Sequence, residues 1–160
     1  SDVEIIIVDD GSTDKTAEIA DKYREQYPDI VRVVHKENGG HGSGVNKGLE
    51  LATGMYFKVV DSDDWLDTNS YKKLINKIKI FCKKENGIEK GRLPDLFVCN
   101  YIYDHYKEGI QKPMNYRNVF PLEKICGWKD IGRFRISQYL IMHALVFRTK
   151  NLQKAGVKLP

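Results

Sequence analysis

Tyr56-Phe57-Lys58-Val59-Val60-Asp61-Ser62-Asp63-Asp64-Trp65 is a short apolar, β-branched run that ends on three carboxylates. Such a run reads as a buried strand. A parallel strand covered on both faces has this form, apolar throughout and polar where the chain leaves the sheet. Asp61 and Asp63 are two apart, so an extended chain would turn both to the same side. Carboxylates crowded at one strand end repel each other by roughly 4 kcal/mol per pair at close range and intermediate dielectric. A divalent cation offsets that cost. Hard oxygen ligands suit Mg²⁺ or Mn²⁺, which take one or two carboxylates and complete their shell with water and phosphate. Taken alone, DSDD reads equally as a solvated acidic turn that caps the following helix.

The same pattern occurs upstream. Val3 to Val8 is a second buried strand, and it runs into Asp9-Asp10-Gly11-Ser12-Thr13-Asp14. Gly11 permits a tight turn, and Ser12, Thr13 and Asp14 are good helix caps. The helix they predict carries Ile19, Ala20, Tyr23 and Tyr27 as its apolar stripe and stops at Pro28. A capping cluster accounts for Ser12 and Asp14 but leaves two consecutive acids at a strand tip unexplained. Ile30 to Val34 predicts a third strand. The glycine-rich stretch His35 to Gly44 follows, then a helix with Val45, Leu49 and Ala52 on one face and Gly54 as its stop. Such a loop brings bare backbone N–H groups to an anion, although its spacing is neither a Walker loop nor a dinucleotide fingerprint.

Strand, helix, strand, helix, strand, helix predicts an open parallel α/β sheet. Ligands of such sheets bind outside the carboxyl ends of the strands. Both acidic clusters and the glycine loop fall at that edge. After the third strand a helix is predicted from about Asn69 to Cys82, with Tyr71, Leu74, Ile75, Ile78 and Cys82 buried. Lys72, Lys73, Lys77, Lys79, Lys83 and Lys84 read as its solvated face, not as a nucleic-acid site. Residues 84–94 read as a polar loop. Further on, Leu96 to Tyr103 predicts a strand, Glu108-Gly109 a hairpin turn, and Ile110 to Tyr116 its return. Residues 119–128 read as irregular or a short helix, 138–147 as a buried helix or strand, and Thr149 to Ala155 as a short helix closed by Gly156. Tyr101, Tyr103, Tyr106, Trp128 and His143 are candidates to line a sugar pocket, or else ordinary core and edge residues.

A chain of 160 residues with 41% hydrophobic and 30% charged content supports one globular domain without staples. The net charge of +4 is too small to argue for nucleic acid. Cys82, Cys99 and Cys126 are odd in number and lack metal-ligand spacing, which points to a reducing compartment. No apolar run has the length of a membrane span. The chain starts almost directly on a strand and stops at Pro160 without a closing element, as an excised piece would.

VDDGSTDKT after a hydrophobic strand, followed by NGGHGSGVNKGLELATGMYFKVVDSDDWLD, resembles the family 2 glycosyltransferases of the GT-A fold. The resemblance spans roughly residues 3 to 67. The segment GWKDI through MHALVFRTKNLQKAG resembles the acceptor-side half of bacterial members more loosely. The implied fold is a GT-A-like α/β domain: an open, mostly parallel Rossmann-type sheet flanked by helices, with a smaller mixed acceptor-side β region. Residues 1–160 would be a fragment of one such domain, with 1–67 its nucleotide-sugar-binding half and 95–160 its acceptor-side half.

The resemblance also implies site residues. Asp9 and Asp10, with Gly11 and Ser12 in their turn, would hold the base and ribose of a nucleotide-sugar donor, typically a UDP-sugar. Asn38, Gly39, Gly42 and Asn46 would lie along the nucleotide. Asp61 and Asp63 would be the DxD pair, Asp61 toward ribose or metal and Asp63 as the catalytic carboxylate on a Mn²⁺ or Mg²⁺ that bridges the diphosphate. The acceptor would be a saccharide, a cell-surface polysaccharide or a lipid-linked acceptor, glycosylated with inversion. The expected location is cytoplasmic, at most peripheral at the inner face of the membrane.

The sequence departs from the family at Val45, where a basic or small residue is usual; Lys36 or Lys47 is then the candidate for the missing charge. Family members also carry an opening strand with a proline-rich turn, and a carboxylate general base after a segment like GVKLP. Both are expected outside these 160 residues. A catalytically incomplete nucleotide-sugar-binding domain is the alternative. A nucleotidyltransferase is disfavoured by the lack of a basic, glycine-rich opening motif.

Overall fold

The computed structural model describes residues 2–85, 93–105 and 107–160. In chain order the elements are β1 (Ile5–Asp9), α1 (Thr16–Gln26), β2 (Val31–His35), α2 (His41–Leu51), β3 (Tyr56–Phe57), α3 (Thr68–Glu85), β4 (Leu96–Val98), β5 (Tyr101–His105), β6 (Ile110–Met114), β7 (Leu145–Arg148) and α4 (Thr149–Ala155). Two compact units result. One comprises Ser1–Phe57 with Phe147–Pro160, the other Lys58–Val146.

The first unit contains a βαβ crossover. β1 and β2 pair in parallel with Ile5 opposite Val31 and Asp9 opposite His35. The parallel arrangement is confined to this pair among the described ladders. β3 pairs antiparallel with β7, Tyr56 opposite Arg148 and Phe57 opposite Phe147. The structure is therefore α/β with mixed pairing, and the expected parallel strand over 56–60 is reduced to two residues. Val60 is exposed, so the apolar run does not continue as a covered strand.

α1 turns its small residue inward. Ala20 is buried, whereas Ile19, Tyr23 and Tyr27 are each 51% exposed, against the buried stripe expected. Its first turn is capped from one residue further out than the helix boundary. Asp14 Oδ1 accepts the Thr16 N–H at 2.9 Å, one of the four donors a helix start leaves unmatched. α2 begins at His41, after Gly40 with φ +84°, so the last four residues of the expected loop are helical. The C-terminal carbonyls of α2 are satisfied from α4: Gln153 Nε2 donates to Leu49 O at 3.0 Å and Ala52 O at 3.3 Å. Buried Thr149 starts α4 and ties it to the turn before β3, donating its N–H to Met55 O and its hydroxyl to Gly54 O. Gly156, at φ +65°, closes α4 as expected.

The second unit begins with the acidic turn. The Asp64 N–H donates to the Asp61 carbonyl at 3.0 Å, so Asp61 to Asp64 is a reverse turn and not an extended segment. α3 then starts with Asp67 as its cap, Oδ1 accepting the Ser70 N–H at 2.8 Å, one residue earlier than expected, and runs on to Glu85. Tyr71, Leu74, Ile75, Ile78 and Cys82 form its partly buried stripe, and Phe81 packs on Phe97 of β4 with ring centroids 5.9 Å apart. The side chains of Lys83 and Lys84, most of the polar loop 84–94, and Tyr106 lie outside the described residues.

The strand expected over Leu96–Tyr103 is two, because the chain breaks at Cys99 and Asn100. The Cys99 N–H bonds the Ala144 carbonyl at 2.7 Å, and Asn100 Oδ1 accepts the Tyr116 N–H at 3.3 Å. β5 and β6 form the expected hairpin, turning at Gly109 with φ +63°. Residues 138–147, ambiguous between helix and strand, become a 3₁₀ turn at Met142–Ala144 and then β7. The core of the unit is Tyr116, Val119 and Ala144, packed by Val98, Tyr101, Phe120, Ile131 and Ile141. Cys82, Cys99 and Cys126 are partly buried and form no disulfide among the described residues. No described helix is long and apolar enough to cross a membrane.

Candidate functional site

In the first unit, the tip of β1 and the glycine-rich loop after β2 are joined side chain to backbone. Asp9 is buried. Its Oδ1 accepts the Ser12 N–H at 3.0 Å and its Oδ2 lies 2.9 Å from His35 Nδ1. The Ser12 hydroxyl, then His35 and the Ser12 amide, hold the carboxyl down to about 2. His35 also faces Asp21 at 3.3 Å. Its pKa is raised by its hydrogen bonds to Asp9 and then Asp21. Asp9 thus braces the turn.

Asp10, beside it, is the more open carboxylate. Its Oδ1 takes the Lys36 ammonium, and both oxygens receive the Gly39 N–H, at 3.0 and 3.2 Å. Lys36 foremost, with help from the Gly39 amide, keeps Asp10 below the usual carboxylate range. Gly11 sits at φ +76°, and a Cβ there would stand 2.8 Å from the Asn38 nitrogen. Only glycine lets the two turns approach this closely. Asp9, Asp10, Gly11, Ser12, Asn38 and Gly39 are therefore gathered at one place.

Gly42 and Asn46 face a different partner. Asn46 Nδ2 donates to Leu159 O at 2.8 Å, and its Oδ1 accepts the Leu159 N–H at 3.0 Å. A Cβ on Gly42 would overlap Leu159 and Pro160. Both residues seat the segment that follows α4. Of the two lysines considered near the phosphates, Lys36 is held on Asp10 and Lys47 lies 2.8 Å from Glu50.

The second unit holds Asp61 and Asp63. Asp61 Oδ2 lies 2.8 Å from His143 Nε2, with Asp64 Oδ2 at 3.9 Å from the same nitrogen. The Lys58 ammonium donates to the His143 carbonyl. Burial lowers the pKa of Lys58 against the opposing effects of Cys99 and Asp64, and burial raises that of Cys99. Asp63 is exposed and, among the described residues, its carboxylate has no ion-pair partner. Among the described residues no three His, Cys, Asp or Glu side chains are grouped as a ready-made metal cage. Hard oxygen donors on an exposed turn nevertheless fit a cation that draws most of its shell from water and phosphate.

Of the aromatic candidates, Tyr101 and Tyr103 stack edge to face with centroids 5.1 Å apart. The Tyr103 hydroxyl lies 3.1 Å from that of Tyr139. Trp128 is 87% exposed, and His143 contacts Asp61. Sequence reasoning passed over His35, Lys36 as the partner of Asp10, and His143 as the partner of Asp61. The alternation at β2 could have flagged His35, since parallel register sets it beside Asp9; nothing local marks His143.

The sequence profile of glycosyl transferase family 2 matches residues 1–135. Among curated proteins, the uncharacterized glycosyltransferase YibD of Escherichia coli is 47% identical over 73 residues, 46% of this chain and 21% of that protein. Glycosyltransferase GlyG of Streptococcus pneumoniae is 44% identical over 78 residues, 48% of this chain and 26% of that protein. The minor teichoic acid biosynthesis protein GgaB of Bacillus subtilis is 32% identical over 95 residues, 59% of this chain and 10% of that protein. The chain spans about a quarter of the length of the first curated relatives it matches. The profile match covers well over half of the chain, and the chain belongs to glycosyl transferase family 2.

Proposed function

We propose that this chain is the donor-binding part of a glycosyltransferase that takes a sugar from a nucleotide-sugar, a UDP-sugar by preference, and passes it to a saccharide or cell-surface polysaccharide acceptor with inversion. The observation that carries this reading is the junction of Asp10 with the Gly39 amide, which brings a strand-tip carboxylate and a glycine-rich loop to one place. A carboxylate there suits the N–H and O–H donors of a base and ribose, and the loop offers backbone N–H groups to phosphate. Asp9, tied to Ser12 and His35, keeps the turn in shape.

Asp61 and Asp63 would hold Mn²⁺ or Mg²⁺, which supplies charge neutralisation for the departing diphosphate when bound. Asp63, exposed on its turn, is the carboxylate assigned to that cation. The quarter-length coverage of the relatives favours a second reading for these 160 residues on their own: they bind donor and do not transfer. The likeness to GgaB, a minor teichoic acid biosynthesis protein, supports a surface polymer as the acceptor class.

Calorimetric titration of UDP in the presence of Mn²⁺ tests the donor reading, with the Asp61→Asn/Asp63→Asn double variant as comparison. Wild-type heat with about tenfold or greater weakening in the variant is expected. Equal heats in both proteins would remove the donor assignment. Release of free sugar from a UDP-sugar by the chain alone would remove the second reading.

A further inference from the structure

We propose that His143 is a positioning residue for the DxD turn: it fixes the Asp61 carboxylate in the orientation from which the donor's cation is met. The inference rests on the donor-site reading above and adds to it a residue 82 positions away in the chain. A carboxylate only accepts, so the proton in the 2.8 Å contact between His143 Nε2 and Asp61 Oδ2 belongs to the imidazole. The imidazole is itself held. Its residue lies in the 3₁₀ turn Met142–Ala144, whose last residue is fully buried in the core. Its carbonyl receives the Lys58 ammonium, and Lys58 is three residues before Asp61. His143 thus grips the turn through its side chain at Asp61 and the segment leading into it through its carbonyl at Lys58. Asp64 Oδ2 at 3.9 Å is too far for a hydrogen bond and adds only charge.

A carboxylate oriented by an outer partner binds a cation better than one that must be ordered on binding, and loss of such partners typically weakens metal affinity about 10- to 100-fold. His143→Gln retains an N–H donor at nearly the Nε2 position, whereas His143→Ala does not.

The test is titration of Mn²⁺, with and without UDP, followed by the electron paramagnetic resonance signal of the free ion. His143→Ala should weaken Mn²⁺ binding by about tenfold, and His143→Gln should recover most of it. Lys58→Met should fall between them. The bound ion should show no electron spin-echo modulation from an imidazole nitrogen, since His143 acts through Asp61. Urea unfolding of each variant separates a local loss from a folding defect. Equal affinity in wild type and a folded His143→Ala, with Asp61→Asn/Asp63→Asn weakened, would overturn the inference and leave the donor site standing. An imidazole-nitrogen signal would overturn it in favour of direct ligation. Equal affinity in wild type and the double aspartate variant would overturn the metal reading, and this inference with it.

Discussion

Asn46 and Leu159 exchange two hydrogen bonds across 113 residues, the Asn46 amide donating to the Leu159 carbonyl and accepting its N–H. An asparagine side chain used this way copies a strand partner and pins the segment after α4 against α2. Asn46→Ala should release that segment and cost about 1 kcal/mol. Asn46→Asp keeps the acceptor for the Leu159 N–H but sets a carboxylate oxygen against the Leu159 carbonyl, and should cost at least as much. Amide exchange at Leu159 is the measurement; unchanged protection in Asn46→Ala would refute the pinning role.

Two glycines of α2 should respond oppositely to the same substitution. Gly42→Ala places a methyl group into Leu159 and the Pro160 carbonyl, so the docked segment must move and thermal stability should fall. Gly44 has open space around a built Cβ. Gly44→Ala should therefore stabilise by about 0.5–1 kcal/mol through helix propensity. Melting temperatures of the two variants, compared with wild type, decide this; a stabilised Gly42→Ala would contradict the contact.

The Asp9–His35 pair sets a pH window. The Asp9 carboxyl is depressed to about 2 from 3.8, so its stabilising contribution is present above 3.8 and lost as pH falls through about 2. The His35 pKa lies above 6.5, so its contribution is full below 6.5 and lost as pH rises through the folded-state value. His35→Gln should remove the alkaline-side decline in urea midpoint and leave the rest of the profile in place. An imidazole that titrates at or below 6.5 in an NMR titration would sink this account.

Thr149 carries a buried hydroxyl with one assignment, the Gly54 carbonyl at 2.6 Å. Thr149→Val preserves shape but strands that carbonyl and should cost about 1–3 kcal/mol. Thr149→Ser should keep most of the stability. Chemical denaturation of both variants distinguishes the hydroxyl from the methyl group; equal losses would assign the effect to packing.

Much of the local structure was legible because its causes are local. The α4 stop at Gly156, the hairpin at Gly109 and the half-buried stripe of α3 each follow from a residue type at a set spacing. The misreadings have other causes. A stripe at helical period located one face of α1, but the small Ala20 took the buried place and the large residues stayed outside. Period-two spacing put Asp61 and Asp63 on one side of an extended chain, yet the Asp64 amide closed a turn on the Asp61 carbonyl. The run 96–103 scored as one strand, but the hydrogen bonds of Cys99 and Asn100 to residues far along the chain split it. At residues 96–103 non-local partners outweighed a local preference, whereas the acidic turn closed on a hydrogen bond only three residues long.

The amino-acid order alone settled the βαβ beginning, the glycine loop, the positions of the acids and the family, since these depend on neighbouring residues and their spacing. Tertiary structure alone decided what the acids meet: Lys36 and Gly39 for Asp10, His143 for Asp61, Leu159 for Asn46. Those partners lie 26 to 113 residues away. Closing so long a loop costs much the same entropy for many alternative partners, so only the packed fold selects among them.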